Sequence, residues 1–519
     1  MSYRNPIVRG TAPDPSAIRV GEDYFLASST FDQLPGVTIR HSTDLVSWRV
    51  IGHAVTRPAQ YRRDDGTGPM VLFAPTLRHH GGVFYLACTN AIPGQGNFVL
   101  RTDDPAGEWS DALWIDDEGF DPSLFRDDDG TWYYTRRTLQ FRPDGDLGPI
   151  VQATIDLDTG VLGELRPITP PHGFASNDIE GPHLYRRRDW YYLCSAEGGS
   201  WHGHMQTVAR SRSPWGPFEH APSTPFLTHR HLTANRVQDV GHAELLEAAD
   251  GTWWTLSLGV RHPRMAQHHN LGRETFLTPV RWVDDWPVAG TRGDGTTALE
   301  VAVSTPEPRP GTRLEVPDTV WNRGWTTIGR AAPDLDAGQG DDAIRLPLGA
   351  HPGAARAGVA PAPVGALLRA QTEDDQTFTA TLSHVPTDAA GGIAAFADAA
   401  HHYALTLEAA ADGSRTIVTT RTVDDLVVRE EQAAPGDGPV ELRIDAHETR
   451  YRFEAVVDGA VIQLGAGAAR LLSAEAAQWF VGVHWTLLAV GEPGTGAVTF
   501  ADVSVRDTAA GEAAAPVPF

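Results

Sequence analysis

The chain has 519 residues and a formal net charge of −24, with 42 Lys+Arg against 66 Asp+Glu. That acidic balance argues against nucleic acid or an anionic membrane as a partner, since both are held by basic surface. No lysine occurs, which excludes a P-loop NTPase, a pyridoxal Schiff base and a Ser-x-x-Lys hydrolase, and the two cysteines, Cys88 and Cys194, exclude a disulfide scaffold.

Met1 to Gly10 lacks an apolar secretion core and no run of about 18 apolar residues follows, so a soluble, cytoplasmic protein is expected. From there to residue 302 the chain reads as short strands between Gly- and Pro-rich turns, an all-β pattern. A turn followed by an aromatic strand recurs five times, with first aromatics at Tyr24, Phe84, Trp132, Trp190 and Trp253. A strand precedes each turn: Pro13-Asp14-Pro15-Ser16, Phe73-Ala74-Pro75-Thr76, Phe120-Asp121-Pro122-Ser123, Ile179-Glu180-Gly181-Pro182 and Gly241-His242-Ala243-Glu244. A repeat of this length suits a four-stranded propeller blade, so residues 1–302 are expected to form a five-bladed β-propeller. Counting from the second residue of each block to the next aromatic gives nearly equal registers. If these strands are innermost, Asp14, Asp121, Glu180 and His242 point into one mouth. Cys88 and Cys194 fall in non-adjacent blades and are expected as separate thiols.

Residues 303–322 carry several prolines and read as a linker. Alternating runs such as Thr377 to Leu382 and Val440 to Ile444 then predict an antiparallel β-sandwich over 323–508, and 509–519 form an Ala/Pro-rich tail.

Three carboxylates in one cavity repel one another and resist burial, so they point to cation binding or to acid/base work. Split pKa values would supply the protonated acid and the ionised base that glycoside cleavage needs. Phe31 and Phe73 lie near the first two blade mouths and offer faces for a sugar. The histidines at 229, 231, 262, 268 and 269 show no His-Glu-x-x-His spacing and no Cys-x-x-Cys accompanies them, so no zinc site is expected. The acidic turn at Asp127 to Asp129 is expected in solvent.

Asn5-Pro6-Ile7, Pro13-Asp14-Pro15-Ser16, Phe120-Asp121-Pro122-Ser123, Glu180-Gly181-Pro182-His183, Glu197-Gly198-Gly199 and Leu271-Gly272-Arg273-Glu274 together resemble glycoside hydrolase family 43. The likeness is to its β-xylosidase-like members with a C-terminal sandwich. It implies a propeller followed by a concanavalin-A-like sandwich, and an inverting exo-hydrolase. Such an enzyme would release terminal β-D-xylose or α-L-arabinofuranose from short xylan-derived oligosaccharides. By this resemblance Asp14 is the general base, Glu180 the general acid, and Asp121 the group that orients Glu180 and raises its pKa. Arg273 and Ser200 would contact the sugar. His242 would lie below the pocket, where some members hold calcium; no cofactor is otherwise required. Phe500 is the nearest match to a sandwich phenylalanine that closes the pocket. Phe73 stands where many β-xylosidases have Trp, Gln33-Leu34 replaces an aromatic pair, and Ser200 replaces a frequent Thr. These departures leave the pentose open. A homo-oligomer is compatible with this reading. Two alternatives stand beside it: a retaining fructan- or sucrose-cleaving propeller, whose Arg-Asp-Pro and Glu-Cys blocks are missing, and a non-catalytic carbohydrate-binding propeller.

Overall fold

A computed structural model describes the chain except residues 1, 64–69, 139–147, 172, 265, 309–310, 313, 329–335, 338–342, 354–363 and 509–519. The expected tail therefore lies outside the described residues. The chain divides into two compact units, residues 1–261 with 273–317, and residues 262–272 with 318–519.

The first unit contains five four-stranded antiparallel sheets, each built from one continuous stretch of the chain. Their first strands are Ser16–Val20, Thr76–His80, Phe120–Arg126, Glu180–Arg187 and Val237–Glu247. Each first strand lies against the first strand of the next sheet, and the fifth lies against the first, so the sheets close a ring. Turn chemistry sets the hairpins. In the second sheet His80 pairs with Val83 across Gly81-Gly82, which hold φ of +60° and +84°, a backbone favoured in glycine.

One apolar cluster fills each wedge between neighbouring sheets. Phe25, Leu86 and Trp109 lie between the first and second, Leu124 and Tyr134 against Ala87 between the second and third, and Tyr133 and Leu193 between the third and fourth. Tyr192 and Phe276 fill the next wedge, and Leu26 and Trp254 close the ring. The innermost strands also share a polar hub. The buried Glu244 carboxylate accepts from Ser16 Oγ at 2.6 Å, Arg78 Nη1 at 3.1 Å and the Tyr185 hydroxyl at 3.3 Å. His183 lies 3.2 Å from the same group, and Arg78 donates onward to the Leu124 carbonyl at 2.8 Å. All five first strands are thereby tied together. Charge-assisted bonds of this kind are among the stronger ones available.

Cys88 and Cys194 are separate buried thiols, as expected. The acidic turn differs from expectation at its first residue. Asp127 is buried, accepting from the Tyr191 hydroxyl at 2.7 Å and Arg186 at 2.7 Å, because neighbouring strands supply donors that a solvated turn would lack.

The second unit packs a seven-stranded and a six-stranded antiparallel sheet around one core that includes Phe378, Leu442, Phe453, Trp485 and Leu487. Val440–His447 alternates buried and half-buried residues along its length, the period-two pattern of a strand with one face inward. Phe500 corrects one expectation. It is 0% exposed, pairs with Ile344 and Leu382, and belongs to this core. Its strand alternation turns it inward, so it has no free face for a sugar.

Candidate active site

The same backbone feature marks four of the five innermost strands. Asp14, Asp121, Gly181 and His242 have φ of +54°, +55°, +55° and +42°. Non-glycine residues adopt this left-handed region at a cost, and such strain concentrates at functional sites. The alignment corrects the sequence register by one residue in the fourth strand. Gly181, not Glu180, is the equivalent of Asp121, and Glu180 precedes it. Gly181 has a reason to be glycine beyond its φ: a Cβ there would lie 2.8 Å from His242 Nε2.

The three carboxylates come together as expected. Asp14 and Asp121 are 5% and 6% exposed, and the Glu180 side chain is 13% exposed. Asp14 accepts from Ser29 Oγ at 2.6 Å and from Arg273 Nη1 at 3.4 Å, with His242 Nδ1 3.6 Å away. Asp121 accepts from the Gly181 N–H at 3.0 Å. Glu180 accepts from Arg137 Nη1 at 3.2 Å, and the other arm of that guanidinium donates to Asp178 at 3.1 Å.

These surroundings separate the protonation states. Burial pushes the Asp14 carboxyl up, but Arg273, His242 and the Ser29 hydroxyl outweigh it and hold the group below the usual carboxylate range. Asp121 moves the other way, to about 7, through burial and the negative charges of Glu180 and Asp14, partly opposed by His242. Glu180 is also raised by burial, against the pull of Arg137. The pocket therefore sets Asp14, whose ionised form is favoured, against a pair, Asp121 and Glu180, that hold their protons to higher pH than ordinary carboxyls.

An aromatic row borders the carboxylates. Phe31 meets Phe73 edge-on at 6.1 Å, and Phe73 meets Phe120 at 5.9 Å. The Arg273 guanidinium lies 5.5 Å from the Phe31 ring centre, and Arg137 lies 5.2 Å from that of Phe120. Each arginine thus combines a carboxylate contact with an aromatic face. Phe31 is buried and Phe73 half-buried, so Phe73 offers more of its surface to a ligand. Ser200 is half-buried in the turn after Gly199, whose Cβ position lies 3.7 Å from Asp178. Glu197, at the start of the Glu-Gly-Gly block, is fully buried and accepts from the N–H groups of Phe174, Ala175 and Ser176. It organises the neighbouring loop. Sequence reasoning missed Ser29, Phe120, Arg137 and Asp178. Only the Ser28-Ser29-Thr30-Phe31 block and the position of Phe120 immediately before Asp121 hinted at two of them.

Buried carboxyls pushed in opposite directions, carried by the inner strands of a ring of β-sheets and bordered by aromatic faces, suit the acid/base cleavage of glycosides. Comparison with known proteins agrees. Residues 3–287 match glycosyl hydrolases family 43, and residues 357–506 match the beta xylosidase C-terminal concanavalin A-like domain. The non-reducing end alpha-L-arabinofuranosidase BoGH43B of Bacteroides ovatus is 35% identical over 511 residues, 94% of this chain and 92% of that protein. A beta-xylosidase of Bacillus subtilis is 35% identical over 326 residues, covering 59% of this chain and 60% of the relative. Among solved structures, the Bacteroides ovatus xyloglucan PUL GH43B superposes with a TM-score of 0.85 at 32% identity, covering 98% of this chain and all of that one. The xylan beta-1,4-xylosidase of Bacillus halodurans superposes with a TM-score of 0.82 at 26% identity, covering 97% of this chain and 99% of that one. The chain belongs to glycoside hydrolase family 43.

Proposed function

We propose that this glycoside hydrolase is an inverting, exo-acting enzyme that releases terminal β-D-xylose or α-L-arabinofuranose from short xylan-derived oligosaccharides. In this reading the ring of five sheets is a five-bladed propeller and the carboxylate pocket is its axial mouth. Asp14 removes a proton from water as its oxygen bonds to the anomeric carbon, and Glu180 gives its proton to the departing glycosidic oxygen. Asp121 orients Glu180 by fixing the adjacent backbone through the Gly181 N–H, while burial and the Asp14 charge raise the Glu180 pKa. Arg273, Ser200, Phe31 and Phe73 form the sugar subsite. The opposite pKa shifts of Asp14 and Glu180 in one pocket carry this reading.

His242 is included as the residue beneath the sugar, and a calcium ion beside it is part of the proposal. Calcium takes about six to eight oxygens. Here the imidazole would supply one nitrogen, with waters providing the oxygens, and Asp14, 3.6 Å from the imidazole, would keep its role as base. The catalytic steps do not pass through the ion.

Nitrophenyl β-xyloside and α-arabinofuranoside test the sugar, and proton NMR of the first product anomer tests the stereochemistry. Hydrolysis of either with inversion is expected. Retention of configuration, or no turnover of either substrate, would overturn the proposal. Inversion also requires the Asp14 and Glu180 carboxyls to stand about 6.5–9.5 Å apart, leaving room for water.

A further inference from the structure

We propose that His262, His269 and Glu475, in the second unit, form a binding site for a divalent transition-metal ion of the zinc class. Glu475 is remote in sequence from the two histidines, and the three share no short motif. His262 and His269 lie seven residues apart in the segment 262–272, and Glu475 lies on the one-turn helix Ala474–Ala477. The two imidazoles are 5% and 3% exposed, and their rings lie nearly parallel, 12° apart, with centres separated by 6.3 Å. Glu475 Oε1 lies 2.9 Å from His269 Nδ1, while Oε2 accepts from the His269 backbone N–H at 3.0 Å. One ligand atom from each of the three residues lies within 4.8 Å of the other two.

The backbone beneath these ligands is held in place. The Ala474 N–H donates to the His269 carbonyl at 3.1 Å and the Val483 N–H donates to the Asn270 carbonyl at 2.7 Å. The Asn270 amide donates to the Ala469 carbonyl at 2.8 Å. The ligands thus project from segments already tied together, which lowers the ordering needed on binding.

The donor set selects the ion. Two imidazole nitrogens and one carboxylate oxygen suit zinc and its first-row neighbours, whereas calcium and magnesium need a shell of oxygens. Zinc bonds of about 2.0–2.1 Å set tetrahedral ligands roughly 3.4 Å apart. The ligand atoms lie within 4.8 Å of one another, a spacing that side-chain rotation would close around the ion. Three protein ligands leave a fourth position for water. In such a buried place the expected consequence is a staple between residues 262–272 and the helix at 474–477. The competing arrangement is a His269–Glu475 ion pair that binds no metal.

Titration of the chelator-stripped, full-length chain with cobalt(II) decides between them. The expected result is one equivalent giving the intense visible band of four-coordinate cobalt, displaced by zinc. The band should disappear in His262→Ala and in Glu475→Gln and persist in His231→Ala, an exposed position. Glu475→Gln retains an acceptor for the His269 N–H, so it reports on metal binding even if His262→Ala fails to fold. Zinc should also raise the melting temperature of the wild type by a few degrees and leave that of Glu475→Gln unchanged. No band in the wild type, a band surviving both substitutions, or a band lost instead with His242→Ala would overturn the proposal. None of these readouts depends on hydrolytic activity.

Discussion

Arg137 provides the sharpest test of how the pocket divides its protons. Its guanidinium is 1% exposed and reaches the proposed acid directly, which lowers the pKa of a group that must stay protonated. Arg137→Met keeps much of the side-chain length and removes the charge. A unit charge about 4 Å away at an effective dielectric of about 20 is worth ~4 kcal/mol. That converts to roughly 3 pKa units at about 1.4 kcal/mol per unit. Asp178 shares the guanidinium and is 38% exposed, so part of that charge is already neutralised and screened. A rise of about 1–2 units in the Glu180 pKa is therefore expected. Activity requires protonated Glu180 and falls as pH rises through its pKa, so the alkaline limb of kcat/KM should move to higher pH by that amount. Lost positioning of the acid should lower the plateau by about 10–100-fold. The assay is a kcat/KM profile on a nitrophenyl pentoside, with circular dichroism as a check on folding. An alkaline limb that stays in place or moves to lower pH in a folded variant would refute the assignment of Glu180 as acid and Arg137 as its modulator.

Four other outcomes follow from the same geometry. Asp14→Ala and Glu180→Ala should each lower kcat by at least the ~10²–10⁴ that one acid or base supplies, and near-normal turnover in either would remove that residue from the mechanism. Asp121 is raised to about 7, so the folded state holds a proton that the unfolded chain releases, and the stability of the first unit should fall between about pH 4 and pH 7. Asp121→Asn should flatten that slope, adding on the order of 2–4 kcal/mol at pH 7 while impairing hydrolysis, and denaturant melts at the two pH values check the sign. Gly181→Ala would drive a Cβ to 2.8 Å from His242 Nε2 at a φ of +55°, so kcat/KM should drop by about tenfold or more in a folded protein. Phe500→Ala should destabilise the second unit by about 3–5 kcal/mol, and an altered KM without loss of stability would contradict its place in the core.

The ring was legible in the sequence because each sheet repeats the same local instructions, a turn and then an aromatic strand. The carboxylates were legible because they sit in those repeats, although Glu180 lies one residue before its expected register. A count along the chain cannot see that the left-handed position in the fourth strand is filled by Gly181. Arg136 and Arg137 show a second limit. They are adjacent and both buried, yet Arg136 pairs with Asp116 at 2.6 Å while Arg137 serves Glu180. Strand alternation says that they face opposite ways and does not say which way the pocket lies. Glu244 was hidden for the same reason, since its partners come from strands as distant as Ser16 and Arg78. Phe500 shows the converse: a phenylalanine in an alternating strand has two faces available, and the core claimed it.

The placement of hydrogen-bond donors and charges explains why three similar carboxyls in one pocket are shifted differently. Asp14 has a guanidinium, an imidazole and a hydroxyl around it, enough to offset the penalty of burial. Asp121 has one backbone N–H as its hydrogen-bond donor, with His242 acting only through its charge, so burial and its two acidic neighbours prevail. Glu180 lies between these limits, because its arginine is divided with Asp178. An acid needs that intermediate state, protonated at rest yet able to stabilise the carboxylate left after donation. In the proposed mechanism the half-share of Arg137 would tune the leaving-group side of the pocket, as Arg273 and His242 would tune the water side.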